Sequence, residues 1–351
     1  MHQVIARCRT GSSHIMRHKP CQDRLCRVQT PDFTLVAVAD GHGSPEYSRS
    51  GIGARFAVYA AQKILPSDAP DEEVVADIKW LYDHMVARHM ARHPLSEREM
   101  GLLSSARLHP VAAYGCTLAV AVIDYAHNST TRYCLGDSGV FCIDTSGHFP
   151  PPLPEDPACV GSATSSMCQS PETVKQHFRI QHIDGIMAAA GVYSDGAEAE
   201  GWRAAEALFS KGDDEASEES MENRVEKLLK LTDHGDDQTY VLAVDPEAVT
   251  TDAFQAGVAE EVHRGHQVMA LNRGLEKRKQ AEVYLRLLLD KAKRLSGSEA
   301  VKFKDEVLRP AAEEFATLNN SIEVLRIEVL RKELEEVPYW PQKSLILATT
   351  K

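Results

Sequence analysis

Four aspartates in this chain sit in short turns of a kind that suits cation chemistry: Asp40 in Ala39-Asp40-Gly41-His42-Gly43, Asp137 in Gly136-Asp137-Ser138, Asp195 in Ser194-Asp195-Gly196 and Asp236 in Gly235-Asp236-Asp237-Gln238-Thr239. A lone Asp-Gly is an ordinary turn signal. The repetition matters, because carboxylates at the ends of several core strands converge when those strands share a sheet or face one another. An oxygen-rich cluster suits hard divalent cations, Mg²⁺ or Mn²⁺, rather than zinc. Two such ions sharing a water lower its pKa from about 16 towards about 7, and they orient and offset the charge of a phosphoryl group. His42 is placed to move a proton beside them. No GxSxG elbow marks a serine nucleophile.

The elements that must hold these turns are legible as periodicities. The run Phe33 to Ala39 reads as a buried strand feeding the Asp40 turn. Helical spacing follows over 50–65 and 73–93. Residues 117–124 and 131–135 read as paired strands, 139–144 as a third strand and 185–193 as an apolar strand ending at Asp195. Helices are expected from Trp202 to Phe209 and over 221–231, with an acidic loop at 211–220, and the last strand spans 239–244. Residues 147–170, rich in Pro, Ser and Gly, read as a long surface loop or flap.

Near residue 250 the composition turns rich in Glu, Lys, Arg and Leu. Ala281, Leu285, Leu288, Ala292 and Leu295, then Phe315, Leu318, Ile322, Leu325 and Val329, follow alternating steps of three and four. Ser296-Gly297-Ser298 breaks the pattern, so an antiparallel helical hairpin is expected, with Pro310 starting or kinking its second helix and Pro338 and Pro341 ending it. The organisation is thus a domain over 1–250 and a helical, coiled-coil-like extension over 251–351. The extension either packs on the first domain or offers a surface for a protein partner or self-association.

The chain has 351 residues, 43% hydrophobic and 26% charged, and a net charge of −12. That balance disfavours nucleic-acid binding, which needs basic surface. No apolar run approaches the roughly 20 residues that span a bilayer, and no secretory signal is evident, so a cytoplasmic protein is expected. The eight cysteines include no CxxC pair and read as reduced, small hydrophobes.

Taken in order, Cys21-Gln22-Asp23-Arg24, Asp40-Gly41-His42-Gly43, Gly136-Asp137-Ser138, Ser194-Asp195-Gly196 and Asp236-Asp237-Gln238-Thr239 resemble the motifs of the type 2C metal-dependent serine/threonine protein phosphatases. Tyr114-Gly115-Cys116-Thr117-Leu118 resembles a further strand start of that family, and the Cys-Gln-Asp form resembles a divergent bacterial branch. The resemblance covers roughly 1–245. It implies an α+β fold, a four-layer α-β-β-α sandwich of two antiparallel sheets flanked by helices. It implies phosphoprotein substrates and hydrolysis by direct attack of a metal-bridging hydroxide. Asp40 would bridge two ions, Gly41 would offer its carbonyl, and Asp195 and Asp236 would complete the second site. Asp137 would support a third ion, and His42 would act as general acid. Three positions depart from the family. Gln22 stands where Glu is common, Ala199 lies where an extra acidic ligand is expected, and His18 occupies the place of a phosphate-binding Arg, with Arg17 and Lys19 flanking it as candidate substitutes. Gln22, Asp23 and Asp237 are expected to hold ligands rather than ions. The alternative is a catalytically weak phosphatase fold that binds or senses and recruits a partner through its helical tail.

Overall fold

The computed structural model describes residues 1–159, 163–197, 201–210, 220–233 and 235–333. In chain order the elements are β1 (Gln3–Arg9), α1 (Ser12–Met16), β2 (Arg24–Gln29), β3 (Phe33–Ala39), α2 (Ser50–Ile64), α3 (Asp71–Arg92), α4 (Glu97–Ser105), β4 (Leu118–Asp124), β5 (Ser129–Leu135), β6 (Gly139–Ile143), α5 (Pro171–His177), β7 (Arg179–Asp184), β8 (Ala189–Tyr193), α6 (Gly201–Phe209), α7 (Met221–Leu231), β9 (Gln238–Val244), α8 (Asp252–Ala292), α9 (Gly297–Phe303) and α10 (Arg309–Glu333).

The strands form two antiparallel sheets, ordered β1-β9-β8-β6 and β2-β3-β4-β5-β7. Residues of β3 and β4 are buried on both faces, which explains their unbroken apolar runs. One set, including Val36, Val38, Ala119, Ala121, Val192, Val241 and Ala243, packs between the sheets. The alternate set, with Leu35, Ala37, Val120 and Val122, packs against Ala57 and Ala61 of α2 and Ile78 and Tyr82 of α3. On the other side, α6 and α7 bury Trp202, Leu208, Val225, Leu228 and Leu229. The result is the expected α+β sandwich.

Register decides where the site lies. Leu118 pairs with Leu135 and Val38 with Ala119, so the turn after β3 and the turn after β5 fall at one end of their sheet. Tyr193 pairs with both Gly139 and Tyr240, so the end of β8 and the start of β9 are level in the other sheet. Asp40 directly follows β3, and Asp137, Asp195 and Asp236 each lie two residues from one of these strand ends.

Several expectations need correcting. The strand expected over 185–193 is shorter: Gly185, at φ 92°, closes a turn after β7, and β8 begins at Ala189. The 147–170 segment is not a surface loop throughout, since Ser165, Ser166 and Met167 are buried. Strands β1, β2 and β7, and helices α1, α4 and α5, were not anticipated. The unforeseen strands are edge strands with polar or charged residues among their apolar ones, as edges commonly carry. Ala199, most of the acidic 211–220 stretch, Pro338 and Pro341 lie outside the described residues.

The chain divides into two compact units, Met1–Ala259 and Glu260–Lys351. Within the second, Val268 and Leu271 of α8 pack with Ile322 and Val329 of α10, and Leu275, Leu318 and Leu325 lie against them. This is the expected hairpin. Its second arm starts at Gly297, however, and Lys304–Leu308 form a π-helical turn immediately before Pro310. Proline lacks an N–H and its ring crowds the carbonyl four residues back, here Glu306; the wider turn accommodates both. Among the described residues no helix is long and apolar enough to cross a membrane.

The approach of α2 to the segment before β4 depends on Gly53, where a Cβ would stand 1.8 Å from the Tyr114 carbonyl oxygen. Gly53→Ala is expected to destabilise by about 1–3 kcal/mol through overpacking. Gly101→Ala in α4, where a Cβ meets nothing within 4 Å, should be neutral or stabilising by about 0.5–1 kcal/mol. Urea midpoints of the two variants give the comparison.

Candidate active site

Asp40 ends β3 with its backbone fixed on both sides. Its N–H donates to Thr117 Oγ1 at 3.0 Å, and its carbonyl accepts from the Thr117 N–H at 2.9 Å. Thr117 Oγ1 is in turn 2.6 Å from Ser138 Oγ. One hydroxyl pair thus ties the Asp40 turn to the Asp137 turn. Asp40 is half-buried, and its carboxyl meets that of Asp195. Burial pushes its pKa well up, and the charges of Asp23, Asp195 and Asp137 push it further. Asp137 is raised too, by burial and then by Asp195.

These groups open on a cleft of about 960 Å³ lined by Asp40, Gly41, His42, Asp137, Asp195 and Asp236, with His14, Arg17 and Lys19 on its wall. Asp195 opens a short 3₁₀ turn after β8. Next to it Gly196 is obligatory, since a Cβ there would lie 2.1 Å from the Asp237 carbonyl oxygen. Asp236 lines the cleft and is also engaged within its own turn. Its Oδ1 accepts the Asp237 N–H at 2.8 Å and lies 3.6 Å from His14 Nε2. Among the described residues, no three His, Cys, Asp or Glu side chains gather into a ready-made ligand cluster. Asp40 and Asp195 are brought into contact, while Asp236 and Asp137 flank them in the same cleft. The donor set still fits hard cations: it is all oxygen, and its pooled negative charge favours protons or metal ions between the carboxylates.

Asp237 is the organiser of the adjoining wall. It is 3% exposed and accepts from Gly11 N–H at 2.8 Å and Gln22 N–H at 2.7 Å. It also pairs with His14 Nδ1 at 2.9 Å. Gly11 packs so closely on this turn that a Cβ would fall 2.2 Å from the Asp236 carbonyl carbon. The short helix α1 is therefore pinned to the β9 turn, and it delivers Arg17 and Lys19 to the cleft. His18 does not line the cleft. It is exposed and takes a left-handed backbone, φ 54°, at the end of α1. Lys19, whose Nζ donates to the Gly43 carbonyl at 2.8 Å, stands there instead.

Gln22 supports the Asp40-Gly41-His42 turn from beneath. Its amide nitrogen donates to the His42 carbonyl at 3.2 Å and to Ser50 Oγ, and a Cβ on Gly41 would meet the Gln22 carbonyl at 2.7 Å. Asp23 is deeply buried, and burial raises its carboxyl to about 7 while the Ser194 and Thr239 hydroxyls pull it back. It does not line the cleft.

His42 lies edge-on to Tyr47, in space left by Gly115, where a Cβ would be 2.7 Å from the imidazole. Its Nε2 meets Ser166 Oγ at 2.8 Å. Burial lowers its pKa to about 4, with Asp195 opposing. Burial thus favours the neutral ring before substrate binds. Ser166 was not foreseen. It sits in a Ser-rich stretch with no periodicity, and only the fold brings its hydroxyl to His42 and to the Cys116 backbone at 3.1 and 3.2 Å.

A family model described as Protein phosphatase 2C matches residues 10–232. Curated protein sequences gave no match. Among solved structures, a bacterial serine phosphatase is similar at 12% identity over 69% of this chain and 97% of that one, with a TM-score of 0.46. The catalytic domain of the serine threonine protein phosphatase PstP, in complex with 2 manganese ions, is similar at 14% identity over 70% and 99%, TM-score 0.45. RsbX in complex with magnesium follows at 14% over 69% and 98%, TM-score 0.42.

Asp237→Ala leaves the Gly11 and Gln22 amides without their buried acceptor. A loss of roughly 1–3 kcal/mol per unpaired group is expected, with faster hydrogen exchange at residues 11–22. Unchanged thermal unfolding would rule out the organising role.

Proposed function

The chain belongs to the protein phosphatase 2C family, and from that premise we propose that it is a metal-dependent phosphatase acting on phosphoserine and phosphothreonine in proteins. The observation that carries the reading is the Asp40–Asp195 contact, in a cleft that also presents Asp137 and Asp236 and has Arg17 and Lys19 on its wall. Asp40, Asp195, Asp236 and the Gly41 carbonyl are the proposed ligands of two Mg²⁺ or Mn²⁺ ions, with Asp137 serving a third. When bound, the ions supply an activated water and offset phosphoryl charge. Arg17 and Lys19 pair with the phosphoryl oxygens and orient the ester for in-line attack. No phosphoenzyme is required.

His42 delivers the proton to the departing alkoxide. Its ring is neutral at rest, and the incoming phosphoryl anion raises its pKa by charge proximity. Ser166 fixes its orientation through Nε2. Residues 1–250 are the proposed catalytic domain, and the helical extension over 251–351 is the proposed site of partner recruitment or self-association. The weak-binder reading draws on one observation, the absence of a closed three-residue ligand cluster among the described residues. Metal-dependent turnover separates the two.

Asp40→Asn and Asp195→Asn should each lower Mn²⁺-dependent hydrolysis of a phosphothreonine peptide by roughly 10²–10³-fold. Turnover that persists in excess chelator would refute the reading. His42→Ala should cut kcat on the phosphopeptide by about 10²-fold or more. It should have far less effect on p-nitrophenyl phosphate, whose leaving group departs without a proton near neutral pH. Equal losses on both substrates would exclude His42 as the donor.

A further inference from the structure

Two thiols meet beside the cleft without belonging to it. Cys8, on β1, and Cys21, just before β2, approach to 3.5 Å between sulfurs. Cys8 is exposed and Cys21 half-buried, whereas Cys116, Cys134 and Cys142 are buried in the sandwich. Strands β1 and β2 are the edges of different sheets. The segment between the two cysteines is the one that carries His14, Arg17 and Lys19 to the cleft wall.

We propose that Cys8 and Cys21 are a redox modification site, closing reversibly to a disulfide that staples the two sheet edges and clamps the intervening cleft-lining segment.

The contact polarises the pair. The hydrogen bond from Cys21 lowers Cys8 to about 6, aided by the Thr239 hydroxyl at 3.3 Å and the charge of Arg24. The same contact raises Cys21, as does its burial. Cys8 is therefore the nucleophile and Cys21 the resolving thiol. With hydrogen peroxide as oxidant, the Cys8 thiolate attacks one peroxide oxygen and the O–O bond breaks. Cys8 becomes a sulfenic acid, and the departing hydroxide takes up the Cys8 proton as water. Cys21 sulfur then attacks the sulfenic sulfur, the S–S bond forms, and the sulfenic oxygen leaves with the Cys21 proton as a second water. Two thiols are oxidised by two electrons and one peroxide is reduced. A dithiol reductant reverses the change.

The ring closed by this bond holds α1 and its anchor on Asp237, so oxidation should stiffen the cationic wall of the cleft. The full-length protein, treated with hydrogen peroxide, should lose two of its eight titratable thiols. Peptide mapping should join Cys8 to Cys21, and dithiothreitol should restore both. Hydrogen exchange over residues 11–19 should slow several-fold in the oxidised form. In Cys21→Ser, Cys8 should run on to the sulfinic acid under the same peroxide. Eight thiols left free, a bridge between other cysteines, or exchange at 11–19 unmoved by the bridge would each overturn the proposal. None of these readouts depends on turnover, so they stand apart from the phosphatase assay.

Discussion

Like charge gathered at neighbouring strand ends around one cleft is the constraint on which this structure turns. Asp40 is half-buried beside Asp195, with Asp23 and Asp137 close enough to raise its pKa further. Carboxylates so placed do not all ionise without compensation, because burial removes part of the water that would solvate them and their mutual repulsion adds to the penalty. Protons relieve the strain in one way and divalent cations in another. Only the second leaves the cleft with charge that a phosphoryl anion can use. The acidic net charge, −12, is compatible with a phosphate substrate for this reason.

The fold resists that repulsion with rigid backbone rather than with flexible side chains. Sheet register brings four turns to one end of the sandwich. Thr117 and Ser138 lock two of them together, and Asp237 locks the β9 turn to α1 and to Gln22. Glycines at 11, 115 and 196 let these pieces approach at distances that no side chain would tolerate. Asp237 thereby serves both signs of charge: it helps shape the acidic floor and holds the short helix that presents the basic wall. The second unit contributes a separate apolar seam between α8 and α10, and the π-helical turn before Pro310 precedes the α10 side of it.

Most of the floor was legible in the sequence because each aspartate adjoins a strand that announces itself. Phe33 to Ala39 and the runs over 131–135 and 185–193 end at Asp-bearing turns, and Thr239 to Val244 begins after one; the sandwich itself was implied by the family resemblance of those turns. The walls were not legible in the same way. β1 and β2 mix Arg and Gln with apolar residues because they are edges, so period and composition give little signal. Helix α1 is five residues long, too short for any periodicity, so the sequence left His18, Arg17 and Lys19 as alternatives that only the fold separates. Ser166 lies in an aperiodic stretch, and its place beside His42 is decided by long-range packing alone. Asp236 shows a further limit: sequence puts it at the right strand end but cannot say that its carboxyl caps its own turn. The spacing in the tail was readable on the second arm, where Leu318, Ile322, Leu325 and Val329 join the seam; on the first arm the seam is made by Val268, Leu271 and Leu275 rather than by the 281–295 set.

Calorimetric titration of the full-length protein with Mn²⁺, repeated near pH 7 in buffers of differing ionisation enthalpy, tests the central claim most directly. Crowded carboxylates that hold protons must give them up as cations take their place. The expected result is saturable binding with net proton release that diminishes as pH rises. Binding without proton release, or no binding at all, would contradict the account.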